Sequence, residues 1–242
     1  MLLYVASIIG EAAGSFYGYK TLGVFSTDAE AHAAGKNGYL YLIDETGAPQ
    51  SFKAGDVHFK DLNGDGIISE ADKTIIGNPN PDIYGNIFAN IMWKNFTLAI
   101  GFNYSLGNDV FNYQRSILEG GKTFYNQTVA VVNRWRNEGQ ITDMPRIQYN
   151  DPMGNSRFSD RWIEDGSYLR MKTLRLTYKV PVRFSWLQGL QIWAEANNLF
   201  TVTHYLGSDP EFSVANTVLS QGIDAGNVAL GRTFTLGLKI NL

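Results

Sequence analysis

The residues best suited to chemistry lie in the stretch DLNGDGIISEAD, residues 61–72. A calcium loop of the EF-hand kind draws oxygen ligands from positions 1, 3, 5, 7, 9 and 12, with glycine at position 6 for the sharp turn. Those positions hold Asp61, Asn63, Asp65, Ile67 through its carbonyl, Ser69 (directly or through water) and Asp72, with Gly66 at the bend. Calcium prefers hard oxygen ligands, and the three carboxylates at ligand positions, Asp61, Asp65 and Asp72, would neutralise it. The departure is Asp72, where a longer bidentate glutamate is usual, so the loop must close more tightly. Ile68 is placed to pack the loop onto a neighbour. The same residues also suit a loop of Asx turns that holds no ion. A single loop without a partner hand does not make a sensor; the expected role of calcium is structural.

No other chemistry assembles. The chain has no cysteine, which excludes thiolate metal sites, disulfides and cysteine nucleophiles. His32, His58 and His204 are far apart and show no ligand spacing. Phosphate-binding, zinc-protease and nucleophile-elbow motifs are absent. The close carboxylates Glu164 and Asp165, and Asp209 and Glu211, read as solvated loop residues. A glycosidase would need two carboxylates facing each other across a cleft, which nothing here indicates. The reading is that the chain is not an enzyme. A net charge of −3 with scattered basic residues gives no footprint for nucleic acid.

The elements that must position the loop are strands. Charged residues make up 18% of the 242, against about 25% in ordinary soluble domains, and aromatics reach 13%. In residues 86–105, Ile87, Ala89, Ile91 and Trp93 share one parity; after Lys94-Asn95, Phe96, Leu98, Ile100, Phe102 and Tyr104 resume it. Their neighbours are mostly Asn, Thr, Ser and Gly, so a hairpin with two unlike faces is predicted. Leu174, Leu176, Tyr178 and Val180 alternate with Arg175, Thr177 and Lys179, and Leu190, Ile192, Ala194 and Ala196 alternate more weakly. The cleanest run is Phe234, Leu236, Leu238, Ile240 and Leu242. Helices are predicted over 28–34 and, briefly, over 128–137; the apolar N-terminal ten residues read as a strand or as the edge of a larger protein, lacking the positive charge of a signal peptide.

Residues 106–166 are long, polar and glycine-punctuated, more loop than a compact sandwich needs. Short turns at one end, long loops at the other and a strongly alternating terminal strand make the outer-membrane barrel pattern. An eleven-residue strand at about 3.3 Å per residue, tilted by about 45°, crosses a bilayer core. The expected fold is all-β: a partial transmembrane antiparallel barrel of about eight strands with long extracellular loops, its apolar face against outer-membrane lipid. Eight strands are too few for the whole barrel, and an open sheet in lipid leaves unpaired edges. The alternative is a soluble secreted calcium-binding β module that binds carbohydrate or a protein partner. Tyr125, Trp135 and Trp162 are candidates for stacking on sugars or, as aromatic loop residues near a membrane, for anchoring the interface. Trp162, within "RWIEDGSYLRMK", otherwise reads as an interfacial aromatic at a strand mouth.

Four blocks in order, "GDVHFKDLNGDGIISEADKTIIGNPNPDIYG" (55–85), "RFSDRWIEDGSYLRMKTLRLTY" (157–178), "NNLFTVTHYLGSDPE" (197–211) and "GRTFTLGLKINL" (231–242), resemble the C-terminal part of the SusC/RagA family of TonB-dependent outer-membrane transporters. The resemblance runs from residue 14 to the end. It implies that residues 1–242 are a barrel segment, without plug or N-terminal strands, and so a fragment that does not transport by itself. It implies that residues 55–85 are an extracellular loop whose calcium motif, similar to dockerin repeats, is structural. It also implies a SusD-like surface lipoprotein as partner, TonB as energy source acting through parts not present here, and an oligosaccharide or peptide as cargo.

Overall fold

The computed structural model describes residues 5–6, 8–36, 38–44, 46–183, 186–212, 217 and 220–242. They form two compact units: one from residues 81–108, 165–212 and 227–242, the other from residues 1–80, 109–164 and 213–226. The first is a sheet unit, the second a loop unit.

The sheet unit holds five antiparallel strands in the order Thr233–Asn241, Gly189–Thr203, Tyr168–Val180, Phe96–Leu106, Ile83–Trp93. Lys94-Asn95 joins the first two in sequence, with Lys94 at φ 53°. That turn and the 181–188 connection fall at one end of the sheet; the chain leaves at the other end for residues 107–167 and again for 204–232. The asymmetry expected from sequence is therefore present. Among the described residues the sheet has five long strands, where about eight were expected. Stretches such as Tyr41–Ile43 form only short strands in small sheets of the loop unit.

Register gives the sheet two chemically distinct faces. Ile91, Leu98, Leu176, Ala194 and Leu236 form one row across all five strands, and Trp93, Phe96, Tyr178, Ile192 and Leu238 form the next. Next to the first row, on the opposite face, Asn90, Ala99, Arg175, Glu195 and Thr235 are aligned. The apolar face is uncovered within the unit: Leu236 is 85% and Trp93 64% exposed. An apolar patch of this extent belongs against lipid or a partner, and the strands have the length of membrane-spanning ones.

One irregularity maintains that separation. Along the 168–180 strand the apolar parity changes, from Leu169 and Met171 to Leu174 and Leu176. The pairing with the 96–106 strand slips between Met171 and Thr173, leaving Lys172 as the extra residue. Met171 thus lies beside Phe102 and Leu174 beside Ile100, on one face. A bulge that adds one residue reverses the facing of everything beyond it. Here it cancels the change of parity in the sequence.

The loop unit has its own apolar core. Tyr19, Phe25, Leu40, Phe52, Phe59 and Ile68 are buried together, and a second cluster joins Phe16, Phe111, Trp162 and Ile223. The helix predicted over 28–34 forms as Asp28–Ala34: Thr27 caps it by accepting from the Glu30 N–H, and Ala31 is fully buried. Over 128–137 only a 3-10 turn, Val129–Asn133, forms, because Arg134 is extended at ψ 149°. In the N-terminal ten residues, Val5–Ala6 pairs with Ser15 and Phe16 as a short strand; residues 1–4 and 7 lie outside the described residues. Among the described residues no helix is long and apolar enough to cross a membrane, which says nothing of a barrel.

Candidate functional site

The 61–72 loop folds as a chain of Asx turns. Asp61 accepts from the N–H groups of Gly64 (2.7 Å) and Gly66 (2.8 Å), Asn63 from Asp65 (2.9 Å) and Asp65 from Ile67 (2.7 Å). Gly66 takes φ +84°, the left-handed bend that position 6 requires. Asp72 is fully buried and accepts from Leu62 (2.9 Å) and Ser69 (2.8 Å), while Ser69 caps the turn Glu70–Asp72 in return. Ile68 is 1% exposed and lies in the main apolar cluster, the packing role expected of it. The Ile68 N–H donates to the Tyr41 carbonyl (2.8 Å) and the Tyr41 N–H to the Gly66 carbonyl (2.9 Å), which ties the loop to its neighbouring strand. The residue types fit calcium, and a carboxylate that accepts two N–H bonds keeps free lone pairs. The side chains are not gathered, however: among the described residues no three His, Cys, Asp or Glu side chains converge to hold a metal.

Three of the four carboxylates read as solvated are instead paired with basic side chains. Asp209 is 4% exposed and forms an ion pair with Arg170, whose other nitrogens donate to Glu211 (2.8 Å) and to the Thr201 hydroxyl (2.8 Å). Glu211 also holds Lys172 at 3.0 Å. Burial pushes the Asp209 carboxyl up, but the Arg170 guanidinium and the N–H groups of Leu230 and Glu211 outweigh this and hold it below the usual range. Glu164 pairs with Arg115 at 2.6 Å, with its side chain 8% exposed. Only Asp165 is open to solvent, with the Ser167 hydroxyl and N–H drawing its pKa down. Burial of this kind was not legible because it depends on an arginine some 40 positions away.

On the polar face of the sheet, Arg175 lies 4.7 Å from the Trp193 ring and 3.7 Å from Glu195. The Trp193 ring lies over Gly237, where a β-carbon would come within 2.0 Å of it.

The three aromatic candidates separate. Trp135 is committed to the fold: its indole packs on Gly55 and its N–H donates to the Ser26 carbonyl at 3.1 Å. Trp162 is 1% exposed, in the second apolar cluster, and donates to the Arg157 carbonyl at 2.9 Å, so it is a core residue and not an interfacial anchor. Tyr125 is 70% exposed. Tyr125 and Trp162 line one pocket of about 250 Å³ in the loop unit.

No family model matches the chain. TonB-dependent receptor P3 of Formosa agariphila is 35% identical over 239 residues, covering 96% of this chain and 22% of that protein. TonB-dependent receptor SusC of Bacteroides thetaiotaomicron is 26% identical over 224 residues, covering 89% of this chain and 20% of that protein. Among solved structures, the RagAB peptide transporter superposes with a TM-score of 0.67 at 22% identity, over 94% of this chain and 23% of that one. The chain spans about a fifth of the length of the curated relatives it matches. The fold match shows the architecture, a portion of a transporter's β-barrel, and TonB-dependent receptors reside in the outer membrane. With its two-faced sheet and this similarity along nearly its whole length, the chain belongs, as a segment, to the TonB-dependent receptors of the SusC/RagA family.

Proposed function

We propose that the chain supplies barrel wall and loop scaffold to an importer of oligosaccharides or peptides. The observation that carries this is the five-stranded sheet, apolar on one face and polar on the other, with its long connections at one end. The apolar rows would meet lipid and the Arg175–Glu195 row the lumen. Backbone groups along Ile83–Trp93 and Thr233–Asn241 have no further strand beside them among the described residues, so transport requires more strands than these. In this reading residues 55–85 face outward as loop structure, a SusD-like lipoprotein closes the barrel, and TonB drives uptake. Calcium, held by Asp61, Asn63, Asp65, the Ile67 carbonyl, Ser69 and Asp72, would clip the loop; ligand types and the Gly66 bend support this.

The test is fractionation of the source cells with an antibody to residues 233–241. The expected result is a heat-modifiable band in the outer-membrane fraction that co-purifies with a lipoprotein in detergent, and loss of uptake of one polymer class when the gene is deleted. A monomer soluble without detergent would overturn the importer and favour a secreted β module.

A further inference from the structure

We propose that the pocket in the loop unit is a subsite for one anionic sugar ring, an inference that rests on the importer reading and narrows its cargo. Its floor is aromatic: Phe111 and Trp162 are buried, and Phe158 crosses Phe111 at 4.7 Å between ring centres. The rim is hydroxylic, with Tyr113 and Tyr125 beside Ser116, Thr123 and Ser156. Lys122 is the single charged residue of the lining, and no lining residue is acidic. Lys122 is exposed and forms no ion pair among the described residues. Tyr125 presents an exposed ring on the same rim.

Each feature narrows the ligand. A pocket of about 250 Å³ lies below the roughly 300–1,000 Å³ that holds drug-sized ligands, so it takes one ring and not a chain. The exposed rings of Tyr113 and Tyr125, set among hydroxyls over the buried floor, match a sugar, apolar on its C–H faces and polar around its edge. The lone lysine selects a carboxylate or sulfate on that ring, since no carboxylate in the lining competes for it. An extended peptide is recognised chiefly by adding a strand to an open sheet edge. The strand beneath the pocket, Asp109–Asn112, is already paired on both sides, by Ile163–Asp165 and Ile223–Asp224. Phe124, next to Tyr125 in the chain, is 88% exposed and stacks on Tyr149 at 4.7 Å. That pair offers a flat aromatic surface for a following sugar, so the ligand is an oligosaccharide.

The experiment uses the full-length protein that contains this chain, purified in detergent and titrated calorimetrically with three probes. These are a uronate tetrasaccharide, the same saccharide with its carboxyls reduced to alcohols, and an acidic tetrapeptide. The expected result is binding of the uronate, weakened about tenfold by Lys122→Gln and by Tyr125→Ala, with the reduced saccharide weaker and insensitive to Lys122→Gln. A sulfated tetrasaccharide, titrated in addition to these three, should show the same lysine dependence. Both substituted side chains are exposed, and an unchanged heat-modifiable band checks that each variant folds. Anion binding unaffected by either variant, binding of the peptide alone, or no saccharide binding would each overturn the proposal. If the protein lies in the outer membrane and imports a neutral polymer, only this proposal fails; if it is absent from the outer membrane, the importer reading fails.

Discussion

Arg170, on a strand of the sheet, and Asp209, in the connection that follows the next strand, form an ion pair in which the side chains are 3% and 4% exposed. Asp209 spends its remaining capacity on the N–H groups of Glu211 and Leu230, both at 2.9 Å. Two ends of the 204–232 connection are thus tied to one strand residue. Removing one partner of a buried pair strands a charge, at a cost of about 3–5 kcal/mol. Asp209→Ala should therefore destabilise the sheet unit by that order. Glu211→Ala, whose side chain is 27% exposed, should cost less, about 1 kcal/mol. Urea unfolding of the two variants in detergent checks the ranking; equal losses would contradict it.

The same carboxylate should make the connection acid-sensitive. Its pKa in the fold lies below the ordinary value of about 3.9. A depressed carboxyl contributes stability that is present above the unfolded pKa and is lost as pH falls through the folded one. Pepsin digestion below about pH 4 should cut within residues 204–232 progressively faster as pH drops. Asp209→Asn should remove the pH dependence.

His58 provides a second pH response, near neutrality. It stacks on Phe25 at 4.3 Å, and burial lowers its pKa, with Glu30 opposing more weakly. At high pH the folded and unfolded states are both neutral at this residue. Below the unfolded pKa of about 6.5 only the unfolded chain takes up the proton, so the loop unit loses stability as pH falls toward 5. Proteolysis of the loop unit at pH 7.5 and pH 5 should show the loss, and His58→Gln should flatten it.

Gly237 is required by Trp193. Gly237→Ala places a β-carbon 2.0 Å from the indole, which must move off Arg175. Overpacking of this kind costs about 1–3 kcal/mol. Gly231→Ala, with nothing within 4 Å of the added carbon, is the control and should be near neutral in the same unfolding assay.

In the Asx-turn loop, Asp72→Ala leaves the N–H groups of Leu62 and Ser69 without their acceptor, a loss of about 1–3 kcal/mol whether or not calcium is added. The Asp61→Ala, Asp65→Ala double variant should differ in kind. Its loop should become protease-sensitive and no longer respond to calcium, with cargo choice unchanged. Equal protease resistance in calcium and in chelator for the parent protein would remove the ion from the account.

Much of the sheet was legible because strand alternation has a period of two and needs only neighbours. Phe234 to Ile240 and the Lys94-Asn95 turn needed no partner to be read. Strand number was less legible: Tyr41–Ile43 pairs only with Pro49–Ser51 and stays outside the five-stranded sheet, and the Tyr41 N–H and carbonyl bond to the 61–72 loop. Trp162 misled for a related reason. An aromatic among charges reads as interfacial until Phe16 and Ile223, remote in the chain, are seen to bury it.

The sequence by itself determined that this is a strand-built chain with one apolar face, with no catalytic constellation, and with a loop whose residue types suit calcium. All of these are local properties, set by spacing within about a dozen residues. Tertiary structure alone decided that Lys172 is a bulge, which carboxylates are buried, and that Tyr125 and Lys122 share a pocket with Trp162. Each depends on contacts between segments far apart in the chain. A carboxylate without its distant arginine would remain in water, because burying an unpaired charge costs more than folding can supply.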